Sequence, residues 1–262
     1  VKTARLVRRC RDRTLALLLA ICASLACSAA PASAGEPGRL DFGGLSRTYS
    51  LHVPPGVEHP AGLVVNLHAG GAIGAGWEFE SGYDAVADAH GFMVVYPDGI
   101  DFSWADGRGA SVPDSRGIDD VGFITTLVSN LAAQFGVDPG HVYATGMSAG
   151  AFMVNRLACD RADVFAAIAP VAGTLGANVP CAPSRPVAVL ETHGTADPIV
   201  PFHGGPMVGR GGGSDIISAP AMAARWRAAG GPVEFRQIDG AGHIWPGDAN
   251  AASADFFASH SR

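Results

Sequence analysis

Ser148 stands in the run Gly146-Met147-Ser148-Ala149-Gly150, one small polar residue between two glycines. A β-like run, HVYAT, precedes it and a helix-like run, AGAFMVNRLA, follows it. G-x-S-x-G between a strand and a helix is the context of a nucleophile elbow, in which the serine occupies a strained turn and small neighbours let the backbone pass closely. Five residues alone are weak evidence, and the competing reading is a turn that happens to contain a serine. A serine hydroxyl is also a poor nucleophile at neutral pH. It does chemistry only beside an imidazole that takes its proton and a carboxylate that orients the imidazole.

Nine histidines are available, so position has to select among them. In a doubly wound sheet the working residues sit in loops beyond the carboxyl ends of strands. The run PVAVLETH leads into GTADPIVP and puts Asp197 just past a strand, and VEFRQI leads into DGAGHIWPG and puts His243 just past another. Ser148, Asp197, His243 is the chain order of α/β-hydrolases and not that of the chymotrypsin or subtilisin architectures. His193 and His203 flank Asp197 and compete as structural, substrate-lining or basic residues. Asp239 reads as a strand end or turn cap. Asp119 and Asp120 precede a helical run, where acidic side chains favour the helix amino end.

Acyl transfer also needs donors for the developing oxyanion. One is expected from the amide of Ala149, the residue after the nucleophile, and the other from the loop NLHAGGAIGAG, with Gly70 first and Ala69 in reserve. The same loop is a poor dinucleotide site, because its glycines run G-x-x-G-x-G from Gly71 and no mononucleotide-binding unit follows in register.

These residues require a scaffold of strands and helices. Strand-like runs recur as TYSLHVP, GLVVNLH, GFMVVYP, HVYAT, FAAIAPV, PVAVLETH and VEFRQI, with helical patterns over 117–135, 149–159 and 219–229. Near-continuous apolar runs such as GLVVNLH fit strands buried on both faces. The fold class expected is α/β: a mostly parallel, doubly wound sheet flanked by helices. The alternation in TYSLHVP fits an antiparallel edge strand near the start, and VGRGGGSD reads as a flexible surface loop. No repeat or linker divides residues 35–262, which are read as one catalytic domain.

The amino end has six basic residues before Thr14, an apolar core from Leu15 to about Leu25, and small residues ending in Ala32-Ser33-Ala34. That is the pattern of a secretory signal peptide over 1–34, with the mature chain beginning at Gly35. The core is short for a membrane span of about 20 residues. Lipid attachment at Cys27 is the weaker reading, because Ser24 stands where a lipobox has a large aliphatic residue. The remainder holds 12 basic and 23 acidic residues, a formal charge of −11, and no lysine. Such a surface argues against nucleic acid and anionic membrane as partners. Cys159 and Cys181 are the only cysteines after Ala34, and an even pair in an exported chain favours a disulfide worth about 3 kcal/mol over two buried thiols. No C-x-x-C or H-E-x-x-H occurs, so no metal is expected.

The ordered set YPDG, GIDDVGFI, VYATGMSAGAFM, FAAIAPVAG, HGTADPIVP and GAGHIWPG resembles the polyhydroxybutyrate depolymerase family of esterases, related to feruloyl and acetylxylan esterases. The likeness runs from about Leu45 to Phe257. It implies a secreted carboxylic-ester hydrolase without cofactor, acting on small or oligomeric esters through Ser148, Asp197 and His243, and the chain is expected to be a monomer. It also implies that Cys159 and Cys181 are paired. The stretch LHAGG departs from the family, with Ala69 where relatives often have glycine. Trp104 and Trp245 are expected either to wall the substrate pocket or to be core. Two other activities share these features: acyl transfer with the same triad, and non-catalytic carbohydrate binding on a hydrolase fold.

Overall fold

The computed structural model describes residues 35–262, and the signal peptide expected over 1–34, with Cys27, lies outside the described residues. The chain opens with β1 (Glu36–Phe42), β2 (Leu45–His52) and β3 (Gly62–Leu67), then α1 (Gly74–Ser81), α2 (Asp84–His90) and β4 (Phe92–Pro97). The short α3 (Val112–Ser115) and the long α4 (Asp120–Phe135) lead to β5 (Val142–Met147), α5 (Ala149–Asp160), β6 (Ala167–Val171) and β7 (Ala188–Gly194). A hairpin of β8 (Gly205–Gly209) and β9 (Gly212–Ile216) precedes α6 (Ala219–Ala228), β10 (Val233–Ile238) and α7 (Ala249–Ala258).

Eight strands form one sheet in the order β1-β2-β4-β3-β5-β6-β7-β10. β2 runs antiparallel to both β1 and β4, and all the remaining pairings are parallel. The strands with near-continuous apolar sequence are the ones covered on both faces: every residue of β3, β4, β6 and β7 is buried, whereas β1 and β10 at the margins alternate. Side-chain alternation on β3 divides the core into two layers. Leu63, Val65 and Leu67 pack with Phe123 of α4, Met153 of α5 and Trp226 of α6. Val64 faces the other way, toward Trp77 of α1, Ala87 of α2 and Phe257 of α7.

Three expectations are corrected. β2 is not the edge strand, because Gly43 and Gly44, both at positive φ, turn the chain so that β1 pairs along its outer side from Glu36↔Leu51 to Phe42↔Leu45. Pro37 and Gly38 disguise β1, being residues that are depleted in strands but tolerated at an unpaired edge. VGRGGGSD is not an irregular loop but most of the β8–β9 hairpin, with Met207 opposite Ser214 and Gly209 opposite Gly212. Its glycines hide the strand pattern, and the ladder of backbone hydrogen bonds supplies what side-chain propensity does not. The helix expected from Gly117 starts at Asp120, with Asp119 capping it by accepting the Gly122 amide at 2.7 Å.

Candidate active site

The turn between β5 and α5 holds Ser148 at φ 54°, ψ −116°, a backbone state that side-chain-bearing residues rarely adopt. Its neighbours explain the two glycines. A Cβ on Gly146 would lie 2.6 Å from the Leu67 carbonyl oxygen, and one on Gly150 would lie 2.2 Å from the same atom. β3 and the elbow therefore approach backbone to backbone, and the pattern is a steric requirement of the turn. The Ser148 amide donates to the Val171 carbonyl at 3.0 Å, which ties the turn to β6.

Asp197 and His243 come from the loops after β7 and β10, strands that pair directly, with Ile238 beside Gly194. His243 Nδ1 lies 2.7 Å from Asp197 Oδ2. The other carboxylate oxygen accepts the amides of Ile199 and Val200, each at 2.8 Å, so both oxygens are held. Asp197 is buried, while the His243 side chain keeps 12% exposure. With Nδ1–H donated to the carboxylate, Nε2 is left as the acceptor nitrogen.

Ser148, Ala149, Gly70 and His243 line one cleft of about 510 Å³. Trp77, Phe152, Ile199 and Met207 give it apolar walls, and the guanidinium groups of Arg108 and Arg210 and the carboxylate of Glu80 give it polar ones. A separate cleft of about 440 Å³ along α4, reaching Arg161 and Arg262, contains none of the three predicted residues.

The loop after β3 is fixed by His68, which is fully buried. Its Nε2 accepts the Gly99 amide at 2.9 Å and its Nδ1 donates to the Ala69 carbonyl at 2.9 Å, a pattern that requires the neutral ring. Burial pushes its pKa down, consistent with that tautomer. In this loop the Gly71 amide is taken by the Phe102 carbonyl and the Ala72 amide by the Ala69 carbonyl. Among the described residues, the amides of Gly70 and Ala149 have no such acceptor. The two residues are neighbours, since a Cβ on Gly70 would sit 3.7 Å from that of Ala149.

Trp104 is not a wall of the cleft. It is fully buried, stacks at a tilt on the His68 ring at 4.7 Å and donates Nε1–H to the His68 carbonyl at 3.0 Å, so it braces the loop from behind. Trp245 is also displaced from the lining: it meets the ring of Trp77 edge-on at 5.2 Å and donates to Asn250. Trp77 takes the lining position, an assignment that neither its composition nor its spacing announces. Arg108 was equally invisible in the sequence. It is buried, doubly bonded to Asp106 at 2.8 and 2.7 Å, and its guanidinium lies 3.6 Å above the Phe152 ring.

The competing residues find other work. His193 is buried with Nε2 on the Val200 carbonyl at 2.9 Å and 3.6 Å from Asp197, outside the cleft lining. His203 is exposed against Phe202, and Asp239 accepts the Thr195 hydroxyl. Asp120 is a buried partner of Arg47 at 2.7 Å. Cys159, near the end of α5, is bonded to Cys181, with Cα atoms 4.8 Å apart.

The strand order, the elbow after β5, and the acid and histidine after β7 and β10 define an α/β-hydrolase. The profile of the esterase PHB depolymerase family matches residues 47–217, and the chain belongs to that family. NocK of Nocardia uniformis subsp. tsuyamanensis, which carries the name of an esterase, is 34% identical over 80% of this chain and 64% of its own length. Poly(3-hydroxyalkanoate) depolymerase C of Paucimonas lemoignei is 39% identical over 47% of this chain and 30% of its own. The chain thus spans less than two thirds of the length of these curated relatives. Among solved structures, the acetyl xylan esterase from Aspergillus awamori superposes with a TM-score of 0.57 at 18% identity, over 85% of this chain and 100% of the other.

Proposed function

We propose that the chain is an exported serine carboxylic-ester hydrolase acting through an acyl-enzyme. One observation carries this reading: an imidazole held by a buried, fully bonded carboxylate shares a cleft with a serine at a positive-φ elbow. Ser148 Oγ attacks the ester carbonyl carbon while His243 Nε2 takes the hydroxyl proton. Asp197 holds the ring in the required tautomer and stabilises the imidazolium. The negative charge that develops on the carbonyl oxygen is met by the amides of Ala149 and Gly70. The alcohol leaves with the proton from His243, and water repeats the sequence in reverse to free the acid.

The apolar walls of Trp77, Phe152, Ile199 and Met207 suit short acyl groups and aromatic acids. The substrates proposed are hydroxyalkanoate oligomers and acetyl esters of polysaccharides, in line with the names of the depolymerase and the acetyl xylan esterase above, together with feruloyl esters of the same polysaccharides. Export follows from the leader sequence, with cleavage after Ala34.

The chain beginning at Gly35 should hydrolyse at least one of four probes: short-chain nitrophenyl esters, methyl ferulate, acetylated xylan and hydroxybutyrate oligomers. An organophosphonate should label Ser148 stoichiometrically. A label elsewhere, with activity surviving in Ser148→Ala, would sink the assignment.

A further inference from the structure

The first described residue enters a buried polar pocket. The backbone nitrogen of Gly35 donates to Glu78 Oε1 at 2.5 Å, and the Ser50 hydroxyl donates to Oε2 of the same carboxylate. Glu78 and Ser50 are 6% and 5% exposed. A Cβ on residue 35 would lie 2.6 Å from Ser50 Oγ and 2.7 Å from Glu78 Oε1, so a larger residue would displace the groups that receive the nitrogen.

Among the described residues no arginine is paired with Glu78 or Asp84. Asp84 lies nearby, with burial pushing its pKa up to about 6 and Glu78 adding to the push. His52 stands between Asp84, at 3.6 Å, and Asp88, at 2.6 Å, and Tyr96 donates to Asp84 at 2.5 Å. Among the described residues no ion pair includes Glu78. A carboxylate this buried is costly without a cationic partner, and two neutral donors offset only part of that cost.

We propose that Glu78 and Ser50 form the receptor for the α-ammonium group of Gly35, so that cleavage of the leader converts a neutral amide contact into a buried ion pair. The inference rests on the export reading above. Hydrolysis breaks the Ala34–Gly35 C–N bond: the oxygen of water goes to the Ala34 carbonyl carbon, and the nitrogen of Gly35 takes up protons to become –NH₃⁺. The donor that already points at Glu78 Oε1 then carries the missing charge. The consequence reaches the cleft, because Glu78 is on α1 next to Trp77, which lines the cleft and is itself held by Asn66 at 2.7 Å. Processing thus locks α1 against β2.

The chain supplies its own probe. Lys2 is the only lysine, so after cleavage the Gly35 amine is the only primary amine in the protein. Trace acetylation across a pH series, read by mass spectrometry, gives its pKa directly. We expect a value at least about one unit above the usual α-amino range near 8. The chain beginning at Gly35 should also melt about 2–4 °C or more above one that carries Ala-Ser-Ala ahead of Gly35. Glu78→Gln should abolish that difference and return the amine to its ordinary pKa. An ordinary pKa in the unmodified protein, equal melting of the two forms, or a difference that persists in Glu78→Gln overturns the receptor. Sequencing the amino end of exported protein tests the export reading separately: a terminus other than Gly35 refutes the coupling to processing even where the two engineered forms differ.

Discussion

Two histidine–carboxylate pairs in this molecule look alike in isolation. His243 Nδ1 is 2.7 Å from Asp197, and His52 Nε2 is 2.6 Å from Asp88. They differ in what the second ring nitrogen meets. His52 Nδ1 faces another carboxylate, Asp84, at 3.6 Å, and the ring is 6% exposed on β2, an antiparallel strand whose carboxyl end points away from those of β3, β5 and β7. His243 gives one nitrogen to a carboxylate and keeps the other for a cleft that contains Ser148. His52 is enclosed between two carboxylates and is no part of the cleft lining. His243 is held by one carboxylate and stands beyond the parallel strand ends, in the same cleft as the elbow.

The largest effect that separates the pairs is expected at the nucleophile. Ser148→Ala should lower kcat on the order of 10⁶-fold if serine, histidine and aspartate act as a unit, measured on whichever ester is turned over best. Next come the two carboxylates. Asp197→Asn should cost about 10⁴-fold, because the amide favours the wrong imidazole tautomer, and activity should fall in acid wherever the base becomes protonated. Asp88→Asn should leave kcat within about twofold, since nothing links it to a reacting atom. Equal losses in the two variants would break the comparison.

Most of the fold behind this contrast was legible because it rests on strong local signals. The buried parallel strands read as unbroken apolar runs, and the elbow read as two glycines whose Cβ positions are filled by β3 backbone. What stayed hidden depended on tertiary neighbours. β1, with Pro37 and Gly38, and the glycine-rich β8–β9 hairpin gain order from pairing, not propensity. Trp104 and Trp77 are indistinguishable as letters; only the packing of Trp104 against His68 and the position of Trp77 in the cleft wall assign one to support and the other to lining. Arg108 reaches the cleft because Asp106 neutralises it in the interior, where burial pushes the Asp106 carboxyl up and the guanidinium pulls it back down.

The disulfide sharpens the comparison at a smaller scale. Cys159 lies near the end of the helix that begins after Ser148, and Cys181 precedes the strand that leads to Asp197, so the bond between them braces the cleft pair and not the His52 pair. It closes a separation of 22 residues, worth about 3 kcal/mol in the chain-entropy model. Reduction should lower Tm by about 6–12 °C, with activity lost only as the protein loosens. Unchanged melting after complete reduction, verified by alkylation of both thiols, would remove the brace from the account.

The smallest effect concerns a carboxyl group with no histidine at all. Glu191 lies in the middle of β7, fully buried, and among the described residues neither side-chain oxygen has a hydrogen-bond partner. The amide of Asn155 on α5 faces it but is committed elsewhere, accepting from Trp226 at 3.0 Å and donating to the Ala151 carbonyl at 3.2 Å. Burial holds the Glu191 pKa well above the ordinary carboxyl range, with Asn155 opposing only weakly, so the folded protein keeps this proton where the unfolded chain releases it. Above the unfolded pKa the unfolded state binds fewer protons than the folded one, so this residue makes stability fall as pH rises toward the folded value. Its contribution is complete in acid and is lost on the alkaline side, the reverse of a carboxylate held by an ion pair. Glu191→Gln keeps the shape and removes the proton. Urea midpoints measured at pH 5 and pH 8 should therefore converge in the variant while those of the parent diverge, with kcat unchanged because Glu191 touches no part of the cleft. A variant with the same pH slope as the parent would mean that the unpartnered carboxyl does not set it, and that the decline belongs to the acidic surface as a whole.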